Sequence, residues 1–231
     1  MLNDDNMYAM PVLNPHADTD AVAKSIVEAR LDENNAVFRK GDFQLSSGKR
    51  SHEYYDFRFA SSVPETYRTI LEQMANAVEP YNPDVLITQE TGGLLWSSPA
   101  SYILGCSNAY VRKKPKSHGT GKWIEGEIEG RDCVIIEDVN TSLSSIIKIV
   151  EKTLEYGGIP KTAVVVMDRA EYIPERLDEL KNQVKGVFPD TNFKLECLAN
   201  KDSIINAFER YGVVDNPEAL KPIGRKVAPL K

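Results

Sequence analysis

Three short apolar runs, "DVLITQ", "DCVIIEDV" and "KTAVVVMDR", are separated by stretches such as "LLWSSPASYILG" and "SSIIKIVEKTLEYGG", and each run ends in polar residues. Runs this short and continuous fit strands buried on both faces, and the longer stretches between them fit crossover helices. With "SNAYVRK" as a further strand, the alternation predicts βαβ units. The fold class is therefore α/β, a mainly parallel twisted sheet flanked by helices. Ligands of such sheets bind outside the carboxyl ends of the strands. Those ends read "QETGG", "EDVNTSLSS" and "MDRAE", so polar chemistry gathers where the topology wants it.

Before this region, "DTDAVAKSIVEARLDENN" carries Ala21, Val22, Ile26 and Ala29 at helical spacing behind Asp18 or Thr19 as cap. "FQLSSGKRSHEYYDFRF" alternates as a hairpin bent around Gly48, and "PETYRTILEQMANAVEPY" is a helix opened by Pro64 and closed at Pro80. "FKLECLANKDSIINAFERYGVV" reads as a last strand and helix. The expected organisation is an N-terminal helix and hairpin hood over residues 1–63, an α/β core over 64–215, and a surface tail over 216–231.

A chain of 231 residues, 42% hydrophobic and 27% charged, suits one globular domain with additions. Its net charge of -6 and pI near 5.3 argue against a nucleic-acid partner, so an anionic ligand must be met locally. No window approaches the roughly 18 apolar residues of a membrane span, and "MLNDDNMYAMPVLNPH" lacks the features of a secretory leader. A cytoplasmic location without membrane contact is expected. Cys106, Cys133 and Cys197 are odd in number and far apart, which suits core positions better than disulfides or a metal cluster. His16 and His52 read as surface residues, and Trp96 and Trp123 as packing groups.

In "VIIEDVNTSLSS", an apolar strand delivers Glu137 and Asp138, and Thr141, Ser142, Ser144 and Ser145 turn into a helix. Free amides at such a turn make an anion site. Two acids beside a bound phosphate would repel it unless they face sugar hydroxyls or a divalent cation, so a phosphorylated sugar with Mg²⁺ fits both halves. The plainer alternative is a buried strand, an ordinary helix cap and solvated acids. "VRKKPKSHGTGKWIEG" concentrates Arg112, Lys113, Lys114, Lys116, Lys122 and His118 beside Gly119 and Gly121. That suits capture of a polyanion by a loop able to open and close, or else a solvated surface loop. Gly92 and Gly93 let backbone approach a ligand, or serve a simple strand-to-helix turn. Arg169 could pair bidentately with a ligand carboxylate, or with Glu171.

Taken together these segments resemble the type I phosphoribosyltransferases, and specifically the orotate phosphoribosyltransferases. "CVIIEDVNTSLSS" is similar to the family's ribose-phosphate signature, "RKxxKxHGxG" to its mobile catalytic loop, and "FQLSSGKRSHEYYDFR" to its N-terminal "FxLxSGxxSxxYxDxR" element. The resemblance implies that Glu137 and Asp138 hold the ribose hydroxyls, that Ser142 to Ser145 hold the 5-phosphate, and that Thr141 and Arg169 recognise orotate. Arg112, Lys113, Lys116 and His118 would contact pyrophosphate, with Gly92 and Gly93 nearby, and the loop would reach into the partner's site of a homodimer. Lys116, His118 and Asp138 are the implied catalytic residues. The implied reaction moves 5-phosphoribosyl from 5-phospho-α-D-ribose 1-diphosphate (PRPP) to orotate, yielding orotidine 5-monophosphate and pyrophosphate in pyrimidine nucleotide biosynthesis. Mg²⁺ would arrive with PRPP, with Glu137 and Asp138 at most its indirect partners. The chain departs from the pattern at Leu143, where relatives have glycine at or beside the position, at Asn140, and at Ser46, where a basic residue is frequent. Those departures keep a second reading open, a catalytically impaired relative that binds a nucleotide or base as a regulator.

Overall fold

The structure is a computed structural model that describes residues 11–32, 34–44, 50–115 and 121–212. Helix α1 (Thr19–Glu28) starts where the Asp18 carboxylate accepts from the Ala21 amide, and it buries Val22, Ala23, Ile26 and Val27. The hairpin follows as β1 (Phe38–Gln44) and β2 (Arg50–Tyr55), antiparallel with a register shift between Lys40 and Phe43. Its tip, including Ser46 and Gly48, lies outside the described residues. A short α2 (Phe57–Ala60) leads to α3 (Pro64–Val78), which opens on Pro64 as expected and ends in a 3₁₀ turn at Glu79–Tyr81.

The main sheet is built from β3 (Val85–Gln89), β4 (Ser107–Val111), β5 (Ile124–Glu125), β6 (Asp132–Asn140), β7 (Ile159–Asp168) and β8 (Leu195–Asn200). The connecting helices are α4 (Leu94–Leu104), α5 (Ser144–Glu155) and α6 (Pro174–Val187), and α7 (Lys201–Tyr211) follows β8. Strand order is β5-β4-β3-β6-β7-β8, parallel throughout except for β5. The chain winds from β3 toward one edge and from β6 toward the other. The switch point, where ligands of open α/β sheets bind, therefore lies between the ends of β3 and β6.

Alternate residues of each strand feed opposite faces, as the two-residue period requires. Leu86, Val134, Ile136, Val164, Val166 and Leu198 pack into a core with α1, α3, α4 and α7. Val85, Ile87, Ile135, Ala163, Val165 and Leu195 pack into a second core under α5 and α6. Trp96 is fully buried with Phe57 and Tyr67 edge-on to its ring, a packing role as read from the sequence. Cys133 and Cys197 are buried free thiols, Cys106 is a half-buried one, and His16 and His52 are exposed.

Four features go beyond the sequence reading, the first being α2, whose residues read there as the end of the hairpin. α6 was not anticipated because its polar sequence buries only Leu180 and Val184. β5 is two residues cut from what reads as a polar loop. The segment before α1 also joins the sheet: Leu13 bridges Cys197 in parallel, and Asn14 donates to Glu196 at 2.5 Å. The tail from residue 213 lies outside the described residues. Among the described residues no helix is long and apolar enough to cross a membrane.

Candidate active site

Strand β6 runs two residues past the acid pair, so Glu137 and Asp138 sit inside the strand and Asn140 is its last residue. Glu137 is only 7% exposed and faces β3, where its Oε1 accepts from the Thr88 hydroxyl at 2.9 Å and the Gln89 amide at 3.4 Å. Burial, and then the charge of Asp138, push its pKa up to about 7, against the pull of the Thr88, Gln89 and Ser145 hydrogen bonds. Asp138 is raised as well, chiefly by burial, although the Val139 amide donates to it at 2.8 Å and Arg58 lends positive charge. Two adjacent carboxylates with raised proton affinity are short of positive partners.

Gly92 and Gly93 explain how the acids fit. A Cβ on Gly93 would stand 2.6 Å from Glu137 Oε1 and closer still to the Thr88 hydroxyl, while one on Gly92 would run into the Asp138 carboxylate. The absent side chains make room for the site's own acids. The Glu90–Thr91 peptide that precedes them is cis.

Beyond β6 the chain turns through Thr141, Ser142 and Leu143 into α5. Leu143 has φ 64°, a left-handed conformation that leucine rarely adopts, and its side chain is fully buried in the core beneath α5. The side chain thus points away from the turn's open face. Thr141, Ser142, Ser144 and Ser145 line that face with Gln89, Val139, Asn140 and Lys148, around a pocket of about 470 Å³. The Ser142 and Ser144 hydroxyls are 3.0 Å apart, and Arg176 of α6 reaches Ser144 at 3.5 Å.

Asn140, a departure in the sequence, organises this turn. Its Oδ1 accepts from the Leu143 amide at 3.0 Å, and its Nδ2 donates to the buried Asp168 at 2.8 Å. Asp168 also accepts from the Ala170 amide and the Tyr172 hydroxyl, each at 2.8 Å. One side chain therefore clamps the hydroxyl turn at the end of β6 to the loop that carries Arg169 at the end of β7. Arg169 itself is mostly buried, salt-bridged to Glu171 at 2.5 Å, 5.6 Å from the Tyr55 ring centre and 3.4 Å from the Ser51 hydroxyl of the hairpin. The ion pair with Glu171, one of the two options read from sequence, is thus present in this structure.

The basic loop leaves β4 and returns at β5. Its root is closed by the Arg112 amide donating to the Trp123 carbonyl at 2.8 Å. The Arg112 guanidinium pairs with Glu125 at 3.1 Å, and the Lys113 amide donates to Glu90 at 2.5 Å. Lys116 and His118 lie outside the described residues. Trp123 packs beneath Lys148 and Lys152, at 5.2 and 4.7 Å from its ring centre, and its amide donates to the Tyr156 hydroxyl. Gln89, Lys148 and the Asn140–Asp168 pair were not picked out from sequence. The pair is separated by 28 residues, and Lys148 reads there as an ordinary surface position of an amphipathic helix. No group of three or more His, Cys, Asp or Glu able to hold a metal occurs among the described residues.

The family described as "Phosphoribosyl transferase domain" matches residues 63–193. The orotate phosphoribosyltransferase of Staphylothermus marinus is 32% identical over 185 residues, covering 78% of this chain and 84% of that protein. That of Pyrobaculum islandicum is 40% identical over 136 residues, covering 58% of this chain and 70% of its own length. The crystal structure of orotate phosphoribosyltransferase from Aeropyrum pernix superposes with a TM-score of 0.60 at 29% identity, covering 76% of this chain and 93% of that one. A Mycobacterium tuberculosis orotate phosphoribosyltransferase in complex with PRPP shares the fold, with a TM-score of 0.58 at 18% identity over 81% of this chain and 98% of that one. The acid pair inside β6, the hydroxyl turn that follows it and Arg169 after β7 thus belong to a shared fold, and the chain belongs to the orotate phosphoribosyltransferase family.

Proposed function

We propose that this chain transfers 5-phosphoribosyl from PRPP to N1 of orotate, breaking the C1–O bond to diphosphate and forming the C1–N1 bond of orotidine 5-monophosphate. The observation that carries the reading is the Asn140–Asp168 clamp, which fixes the hydroxyl turn and Arg169 at neighbouring strand ends. A ligand with a phosphate at one end and a carboxylate at the other matches that spacing of chemistry. Ser142, Ser144 and Ser145 would hold the phosphate, and Arg169, exchanging Glu171 for the ligand, would hold the carboxylate together with Thr141.

As the C1–O bond breaks, positive charge develops on the ribose and negative charge on the departing diphosphate. Glu137 and Asp138 hold the ribose hydroxyls while C1 moves toward the base. Arg112, Lys113, Lys116 and His118 stabilise the leaving group, with Lys116 or His118 supplying a proton to its oxygen, and exclusion of water prevents hydrolysis. Mg²⁺ bound with the diphosphate would neutralise charge on the leaving group. The acid pair would serve such a cation as an indirect partner, since burial raises both carboxylates despite the Thr88, Gln89 and Ser145 hydrogen bonds to Glu137 and the Arg58 charge near Asp138.

A homodimer with shared sites and a cytoplasmic location belong to the same reading. Exposed Tyr102 and Ile103 at the end of α4 offer apolar surface for subunit contact. The reading of an impaired relative loses its main support, since the Leu143 side chain is withdrawn into the core. The deciding assay follows orotate by its ultraviolet absorbance with PRPP and Mg²⁺ present. Steady loss of orotate with release of pyrophosphate is expected, and a folded chain that consumes none overturns the proposal.

A further inference from the structure

The pocket beside the hydroxyl turn has one cationic side chain among its described lining residues, Lys148. Lys148 follows Ser144 by four residues, so the two lie on one face of α5, and helical side chains lean toward the N-terminus, here toward the turn. It is half-buried and has no carboxylate partner among the described residues. Its ammonium lies 3.5 Å from the Arg112 carbonyl and 5.2 Å from the Trp123 ring centre. Lys152, one turn further on, also covers Trp123 but is paired with Glu155 at 2.5 Å. The packing on Trp123 is thus provided for without Lys148, whose charge is answered, among the described residues, by a carbonyl and a ring face.

The turn itself poses the complementary problem. Its backbone is fixed by the hydrogen bond from the Leu143 amide to Asn140 and by the buried Leu143 side chain, and its open face offers hydroxyls where a phosphate dianion wants charge. We infer that Lys148 is the cation that holds the substrate's 5-phosphate in this chain, an inference that rests on the phosphoribosyl reading of the site. In this structure the ammonium lies against the Arg112 carbonyl and the Trp123 ring. When the phosphate enters, the ammonium swings to it, loosening its hold on two residues at the root of the basic loop. Lys148 thereby binds the phosphate directly and reports an occupied pocket to Arg112.

The test measures PRPP affinity by calorimetry and orotate turnover for the native chain, Lys148→Met, Lys148→Arg and Lys152→Met, each first shown to melt as a folded protein. Charge-assisted contacts of this kind correspond to about 10- to 100-fold in affinity. Lys148→Met should raise the PRPP dissociation constant and KM by that factor and change kcat much less. Lys148→Arg should restore most of the affinity, and Lys152→Met should bind as the native chain does. PRPP should also alter Trp123 emission in the native chain and not in Lys148→Met. A native chain that binds PRPP through Lys148 yet never consumes orotate refutes the proposed reaction and supports the Lys148 role. Equal PRPP affinity in native and Lys148→Met, an equal loss in Lys152→Met, or no PRPP binding by the native chain overturns it.

Discussion

Leu143 combines a left-handed backbone with a fully buried side chain, and the two pull in opposite directions on substitution. Leu143→Gly would relieve about 1–2 kcal/mol of backbone strain but forfeit a buried leucine, a loss of about 3–5 kcal/mol or more in comparable cores. The cavity wins. A net loss of about 1–4 kcal/mol is expected, which for a chain of this size lowers the melting temperature by roughly 2–16 °C. PRPP affinity should stay within a few-fold of native, because the side chain does not face the pocket; a large gain in affinity on adding glycine would show that leucine obstructs phosphate after all. Glu137 gives a pH signature. Its folded pKa of about 7 lies above the ordinary 4.5, so the folded state binds the proton more tightly than the unfolded chain. Its contribution is favourable below pH 4.5, falls as pH rises from 4.5 to about 7, and is flat above. Glu137→Gln keeps an acceptor for Thr88 and Gln89 and removes the charge. It should be more stable than native above pH 7 by up to about 3 kcal/mol, with the difference vanishing toward pH 4.5, while PRPP affinity falls. Denaturant melts across that range check the sign, and a difference that grows on acidification contradicts it.

At the scale of elements, the site depends on β6 and β7 ending in step. Asn140 pairs with Asp168 in the ladder and again through its side chain, and the Arg169 amide donates to the Asn140 carbonyl at 2.9 Å. Asn140→Ala removes one of the hydrogen bonds that compensate the buried Asp168 and frees the Leu143 amide, and should cost roughly 2–4 kcal/mol. Because the clamp serves both ends of the substrate, kcat/KM should fall for PRPP and orotate together. A loss confined to one substrate would show the two strand ends to be independent. The strands, the switch point and the polar ends were legible in sequence because apolar runs and their terminators are local signals. The clamp was not, since nothing local pairs an asparagine with an aspartate on the next strand. Leu143 misled for a related reason: glycine advertises a left-handed turn, whereas a leucine there is legible only once the core beneath α5 is known. α6 escaped because a helix that buries two side chains has almost no periodic apolar signal.

For the whole molecule, the balance of charge raises a question of assembly. The chain carries a net charge of -6, yet its proposed chemistry gathers two phosphorylated groups on one side of the sheet. The acids inside β6 repel such a ligand, and the loop that concentrates cations in the sequence is rooted at β4 and β5, on the other side of β3. A loop that served the neighbouring subunit's pocket would let each site draw on both chains. This arrangement has a quantitative signature in mixed dimers. Lys116→Ala removes a proposed loop cation and Glu137→Gln alters the ribose side of the pocket, and each variant alone should be nearly inactive. If loop and pocket belong to one chain, mixing the two variants restores nothing. If the loop crosses the interface, a mixed dimer has one site carrying both defects and one carrying neither. Random exchange makes half of the dimers mixed, so about a quarter of native activity should return. Sedimentation must show a dimer in the same preparation, and the recovered activity should follow the rate of subunit exchange. A dimer that exchanges freely without regaining activity confines each loop to its own subunit's site.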